Sequence, residues 1–284
     1  MSDRQLKAES SYTRNSWWST SIIDMSPGVI RFFGYPVEEL IGNVTFPQMI
    51  WLMLRGELPT LEQARLLDAV LMSSVDHGPQ APSIAIARMS ATCGVGLNNS
   101  MASAINVLGD VHGGAGEQAI VLFTDIANQM DIGMTLEAAT RQVLDEFKRE
   151  NGKYVPGYGH RFHPVDPRAP RLMELVHEAQ ENNVVSGKFR EIALAIEFAL
   201  SDPKRNKHVP MNIDAASAVI YAELGFAPPL ARGLFCLSRA VGILAHAWEQ
   251  TCQGGRNKGP IPRDELPAYT GPGRRSVPGK SGGK

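Results

Sequence analysis

Four short stretches concentrate side chains able to move protons or hold anions. "DHGPQAPS" runs from Asp76 to Ser83, and "GDVHGGAGEQ" places His112 directly ahead of Gly113 and Gly114. "VPGYGHRFHPVDPR", residues 155–168, packs His160, Arg161, His163, Asp166 and Arg168 beside Pro156, Gly157 and Gly159. In "MNIDAAS", Asp214 enters an otherwise apolar run. Imidazole, carboxylate and guanidinium together are the components of proton transfer beside a bound anion.

Each patch also has a plainer reading. Glycines ahead of a helix let backbone approach a ligand, and a helix N-terminus carries positive partial charge. A histidine there is biased toward neutral imidazole, which can donate to a carbonyl that is becoming an enol without fully protonating it. The same residues equally fit a tight helix start with a structural histidine. A P-loop fails, because no Lys-Ser/Thr follows the glycines. Inside "VPMNIDAASAVIYAEL" an unpaired carboxylate is costly to bury, and burial would raise its pKa toward a useful range for proton transfer. Taken alone, though, Asp214 reads more simply as a helix N-cap.

His160 and His163 have H-x-x-H spacing, but the glycine–proline context promises no helix placing both on one face, so a metal site is weakly indicated. Arg161, Arg168 and Arg171 read better as anion clamps, since a guanidinium fork matches a carboxylate. Arg239, between "FCLS" and "AVGILAH", asks for the same explanation. His177 and His208 read as surface residues, and His77 and His246 as core histidines satisfied by backbone.

The elements that must position these groups are helical. Thr45 with Gln48, and Thr60 with Gln63, make capping-box patterns, and Gly56 stands where a helix stop belongs. Ala64, Leu67, Val70, Leu71 and Ser74 keep helical spacing. So do Leu172, Leu175, Val176 and Ala179, and again Phe189, Ile192, Ala193, Ile196 and Leu200. "LARGLFCLSRAVGILAHAWEQ" is apolar nearly all round, as in a central or interface helix. Strand signal is confined to "SIID", "SPG" and "VIRFF", which read as one hairpin. No βαβ alternation is present, which argues against a doubly wound sheet.

The bulk numbers narrow the function classes. The chain has 284 residues, 43% hydrophobic and 20% charged, enough for a sizeable core in one or two domains. A formal net charge of -1 argues against nucleic-acid binding. No apolar run approaches the roughly 20 residues of a membrane span, and "MSDRQLKAES" lacks a secretory h-region. Cys93, Cys236 and Cys252 have no CxxC spacing. They read as reduced thiols of a cytoplasmic protein, with Cys93 and Cys236 in apolar stretches.

In this order the patches resemble the citrate synthase superfamily, from about Ile22 to about Gly271. "FFGYPVEEL" and "LMLRGELPT" are similar to the family's "RGYPIEEL" and "GELP", "HGGAGEQ" to its catalytic "HGGANE", and "NID" to "NVD", whose aspartate is the base. "VPGYGHRF" with "DPR" resembles the coenzyme A loop with the second histidine, and "LSRAVGILAHAWEQ" the C-terminal arginine helix. The short chain, "DHGP" and "GDVHGGA" are most like citryl-CoA lyase and the lyase module of ATP-citrate lyase. His112 departs from that module, which has phenylalanine there, and looks synthase-like.

The resemblance implies a mainly α fold, with a large helical domain of residues 1–111 and 226–284 and a smaller mobile helical domain of residues 112–225. It implies cleavage of citryl-CoA, or a related 3-hydroxy-3-carboxy acyl-CoA, to acetyl-CoA and oxaloacetate through an enol. The alternatives are a citrate or 2-methylcitrate synthase and a non-catalytic acyl-CoA-binding paralogue. His112, His160 and Asp214 would be catalytic. His77, Ser83, Arg168 and Arg239 would hold the acid, and Val155, Pro156, Gly157, Tyr158, Gly159 and Arg161 coenzyme A. The family's third carboxylate clamp, an arginine before proline, is absent, since Ile261 precedes Pro262; Arg263 follows it. No metal or resident cofactor is implied, because the coenzyme A thioester is itself substrate. The expected partners are acyl-CoA, a di- or tricarboxylic acid and further copies of the chain, as a homodimer or dimer of dimers. No nucleic-acid or membrane partner is expected.

Overall fold

The structure is a computed structural model, and it describes residues 18–159, 164–201, 208–262, 264–265 and 267–277. His160, Arg161, His163 and Arg263 lie outside the described residues. Contacts divide the chain into two compact units, one of residues 1–77 and 108–242, the other of residues 78–107 and 243–284.

The first unit begins with a three-stranded antiparallel meander: β1 (Ile23–Ser26), β2 (Val29–Phe32) and β3 (Tyr35–Pro36). Ser26 pairs with Val29, so the hairpin read from the sequence closes on Pro27 and Gly28. The unit then takes α1 (Val37–Leu40), α2 (Phe46–Arg55) and α3 (Leu61–Ser73). Both capping boxes form. Thr45 and Thr60 accept from the Gln48 and Gln63 backbone N–H groups and receive the reciprocal side-chain bonds, which satisfies amide groups left over at a helix start. Gly56 ends α2 in the left-handed region.

After residue 107 come α6 (Ala115–Asp131), α7 (Leu136–Asn151), α8 (Arg168–Glu181), α9 (Lys188–Leu200), α10 (Ile213–Glu223) and α11 (Pro228–Gln253), of which the first unit holds α11 as far as Gly242. α10 is the axis. Its residues Ala215–Ala222 are all buried, and it packs on α3, α6, α8 and α9. Its alanines let several neighbours approach, while Val219, Ile220 and Tyr221 fill the space between them. Glu223, at the end of α10, accepts from Ser186 Oγ (2.9 Å) and from the N–H groups of Gly187 (3.0 Å) and Phe189 (2.7 Å). One carboxylate thereby caps α9.

The second unit comprises α4 (Pro82–Thr92), α5 (Leu97–Ile105) and the remainder of α11, around Ala81, Ile84, Ala87, Ala104, Ile243 and Ala247. Arg88 Nη1 lies 2.9 Å from Nδ1 of His246, and Arg88 also pairs with Glu249. Cys93, expected in a core, is exposed, because it stands at the C-cap of α4 where the helix gives way to Gly94. Cys236 is half-buried, and all three cysteines are free.

By length and composition α11, 26 residues with a mean hydropathy of 1.3 in its most apolar stretch, is long and apolar enough to cross a bilayer, although polar residues interrupt its apolar run. Yet Leu234 and Arg239 are buried on it, as on a core helix.

Candidate active site

The site is built outward from the start of α10. Asn212, not Asp214, is the N-cap; its Oδ1 accepts the Asp214 N–H at 2.9 Å. This corrects the plainer reading of Asp214 and frees its carboxylate, in the first turn, from capping duty. Burial pushes the Asp214 carboxyl above the usual range. Arg168 and then Arg239 pull it back, and Asp166 adds a smaller push upward.

Asn212 also fastens the loop before α8. Its N–H donates to Gly157 O (2.9 Å), its Nδ2 donates to Gly159 O (2.7 Å), and Gly159 N–H donates to Pro210 O (2.7 Å). Gly157 is required there. Its φ is +83°, and a Cβ would lie 2.6 Å from the Ala215 Cβ. Tyr158 pairs with Met211 as an isolated bridge and donates its hydroxyl to Ala193 O at 2.9 Å; burial, then Glu197, raises its pKa well above normal. Val155 is buried and Pro156 half-buried. Much of the 155–159 backbone is thus engaged with the lead-in to α10, so the loop is a scaffold for the Asp214 helix.

Arg168 opens α8 with its fork turned onto Asp166: Nε to Oδ1 at 2.9 Å and Nη2 to Oδ2 at 2.8 Å. Nη1 reaches Ser73 O at 3.4 Å, which leaves two of the five N–H groups of a guanidinium. Asp166 is 1% exposed. Burial raises its carboxyl, but hydrogen bonds from the Arg168 side chain and backbone, the Arg168 charge and the Ile213 N–H together hold it below normal. Arg171, read as a further clamp, is spent on the surface with Glu174 (2.9 Å) and Glu178 (3.6 Å).

Arg239 is 5% exposed. Its Nε donates to Ser74 O at 3.0 Å, and its guanidinium lies 4.9 Å from the Phe235 ring centre. Burial lowers its pKa; Asp76 and then Asp214 oppose that, and Arg168 reinforces it. The segment bearing Asp76 and His77 is fastened by Gly242 N–H to Val75 O at 3.1 Å. Ser83 is fully buried in the first turn of α4, in the second unit.

His112 lies two residues before Gly114, the N-cap of α6. Its imidazole is held below 6.5 by burial first and the Arg239 charge second. The direction is that expected from the sequence, but the causes are burial and then the Arg239 charge. A Cβ on Gly114 would stand 2.7 Å from Asp110 O, so this glycine serves closure of the loop itself. Arg232 ties the loop down through Asp110 Oδ1 (2.6 Å) and Glu117.

His112, Asp214, Arg168, Arg239 and Asp76 therefore share one electrostatic neighbourhood in the first unit. Sequence reading singled out the first four. It gave no role to Asp76, Asp166, Asn212 or Arg232, although Asp76, Asp166 and Asn212 stand in the "DHG", "DPR" and "NID" stretches it quoted. Arg232 likewise stands in the quoted apolar stretch of the C-terminal helix. In chemical terms the set can donate to a developing oxyanion from a neutral imidazole, exchange a proton through a carboxyl of raised pKa, and face anions with two guanidinium groups. Among the described residues no group of three or more His, Cys, Asp or Glu side chains could hold a metal ion.

The helix-dominated architecture is that of the citrate synthase-like folds to which the chain is similar. The sequence model "Citrate synthase, C-terminal domain" matches residues 12–65 and 60–263. The chain belongs to the citrate synthase family. It is 31% identical to citrate synthase of Deinococcus radiodurans over 199 residues, covering 69% of this chain and 50% of that protein. It spans about half the length of the citrate synthases it matches. The structure of citryl-CoA lyase from Hydrogenobacter thermophilus is similar with a TM-score of 0.79 and 31% identity, covering 92% of this chain and 98% of that one. ATP citrate lyase from Methanothrix soehngenii, solved with citrate and coenzyme A, shares the fold at a TM-score of 0.78 and 22% identity, covering 96% of this chain and 45% of that one.

Proposed function

We propose that the chain is a citryl-CoA lyase-type enzyme that cleaves citryl-CoA, or a related 3-hydroxy-3-carboxy acyl-CoA, to acetyl-CoA and oxaloacetate. The observation that supports this is that the buried Arg239 acts on both His112, whose imidazole is held below its ordinary value, and Asp214, whose carboxyl burial raises. The preference for a lyase rests on the near end-to-end match to the Hydrogenobacter enzyme.

In this reading the tertiary hydroxyl gives its proton to His160, and the carbon–carbon bond to the acetyl arm breaks. The carbinol carbon becomes the ketone of oxaloacetate. The bonding pair becomes the acetyl-CoA enol, with His112 donating to the thioester oxygen where charge develops. Asp214 then delivers a proton to the terminal carbon, so one proton leaves and one returns. Burial raises its pKa, the direction that favours the protonated form. Arg168 and Arg239 face the carboxylates of the acid. Residues 112–225 would be the mobile part whose closure excludes water, and the exposed row Leu237, Val241, Leu244 and Trp248 on α11 supports a second copy as partner.

A synthase is the second reading, favoured by the named function of relatives such as the Deinococcus protein. Purified protein given citryl-CoA separates the two. A lyase yields oxaloacetate and acetyl-CoA; a synthase yields citrate and a free thiol. Asp214→Asn is expected to lose about 10²–10⁴ in rate, and His112→Ala about 3–4 kcal/mol of transition-state stabilisation, with both variants folded. Near-wild-type turnover in both would end the proposal.

A further inference from the structure

One buried carboxylate joins two parts of the site that are far apart in sequence. Asp166 Oδ2 accepts both Arg168 Nη2 at 2.8 Å and the Ile213 N–H at 3.1 Å, while Oδ1 accepts Arg168 Nε at 2.9 Å and the Arg168 N–H at 3.1 Å. Ile213 is the residue immediately before Asp214. The same oxygen therefore fixes the first turn of α10 and the guanidinium that faces it.

We propose that Asp166 is a positioning residue, which locks Arg168 against the Asp214 end of α10 so that the guanidinium stands beside the proton-transfer carboxylate. A free arginine would lose rotamer entropy on taking that pose. A fork held on two oxygens has already lost it, and its orientation is set by geometry. Asp166 has no role in contacting the reacting atoms, because its own oxygens are spent on Arg168 and Ile213.

Two effects on Asp214 oppose each other, which makes the inference testable. Among the described residues, the charged groups that act on Asp214 are Arg168 on α8, Asp166 just before it and Arg239 on α11, and Arg239 also acts with Asp76, after α3, and on His112, before α6. The Asp166 charge by itself raises the Asp214 pKa, whereas Arg168 lowers it more strongly. Deleting the Asp166 charge while Arg168 stays in place must therefore lower the Asp214 pKa. Deleting it and thereby releasing Arg168 must raise it.

The inference rests on Asp214 being the proton-transfer group, and the measurement observes Asp214 without turnover. The full chain is labelled with ¹³C at aspartate carboxyls, and the Asp214 signal is assigned by its loss in Asp214→Asn. Asp166→Asn should move the Asp214 titration to higher pH. In an Arg168→Gln background, where no fork remains to release, the same substitution should move it to lower pH. Arg168→Lys keeps the charge but not the fork, and should also raise the Asp214 titration, which covers the case in which Asp166→Asn does not fold. A downward shift in Asp166→Asn, or an unchanged Asp214 in Arg168→Lys, overturns the inference. Loss of rate in Asp166→Asn is expected to be about 100-fold, the size of a misplaced catalytic geometry. If Asp214→Asn keeps full turnover, the functional reading fails while the titration result stands by itself.

Discussion

Replacing Arg239 by glutamine removes one buried charge and keeps an amide that can still donate to Ser74 O. The guanidinium is 5% exposed and faces Asp76 and Asp214, so its loss leaves two carboxylates short of a counter-charge. Breaking a buried pair from one side costs about 3–5 kcal/mol. Asp214 is only half-buried, so solvent screens part of the effect and the lower end, about 3 kcal/mol at neutral pH, is expected. The sign with pH follows from Asp214, whose carboxyl is already raised by burial and rises further without Arg239. A group with a raised folded pKa stabilises the fold below its unfolded value, about 3.9 for aspartate, and loses that contribution as pH climbs through the folded value. The deficit of Arg239→Gln against wild type should therefore widen from about pH 4 toward neutrality. Urea unfolding of wild type, Arg239→Gln, Asp214→Asn and the double variant at about pH 5 and about pH 7.5 measures it. Asp214→Asn should recover about 1–3 kcal/mol of the loss at the higher pH and less at the lower. An equal loss in both backgrounds at both pH values would show that Arg239 acts through packing on Phe235, not through its charge.

Gly157→Ala should lower stability by about 1–3 kcal/mol, the usual size of local backbone strain, because a left-handed φ and the Ala215 contact both oppose it; thermal unfolding reads the loss. Glu223→Gln weakens the cap of α9 and should cost about 1–3 kcal/mol, with faster amide exchange at Gly187 and Phe189. Oxaloacetate binding should be accompanied by net proton uptake, since a dianion near Asp214 raises its pKa further. Calorimetry in buffers of different ionisation enthalpy detects the uptake, and Asp214→Asn should abolish it.

Which parts were legible in the sequence follows from the range of the interactions. The caps of α2 and α3 are local devices, complete within four residues, and both formed as read. The β1–β2 hairpin is equally local, with Ser26 opposite Val29. Helix periodicity gave the buried faces of α3, α8 and α9. What escaped depends on partners distant in the chain. Taken alone, Asp214 read as a cap because aspartate ahead of an apolar run usually is one, but Asn212, two residues earlier, takes that position and accepts the Asp214 N–H, which places Asp214 inside the first turn. Arg168 and Arg171 look alike in sequence. One meets a buried Asp166 and the other two exposed glutamates three and seven residues further along its own helix. Cys93 carried apolar neighbours but no information on where α4 ends.

The aspartates of the site do different work because of what accepts or donates beside them. Asp166 is pulled down by four favourable contacts and is a fixed anion that binds Arg168. Asp214 has only charges at a distance to offset its burial, so it is the carboxyl free to change protonation. Environments that push like groups apart are how a protein assigns separate tasks to chemically identical residues. The arginines follow the same logic: Arg168 is fixed by Asp166, whereas Arg239 is buried and compensated largely by groups that include Asp214 itself. Protonating Asp214 therefore removes one of the two negative charges that oppose the cost of burying Arg239.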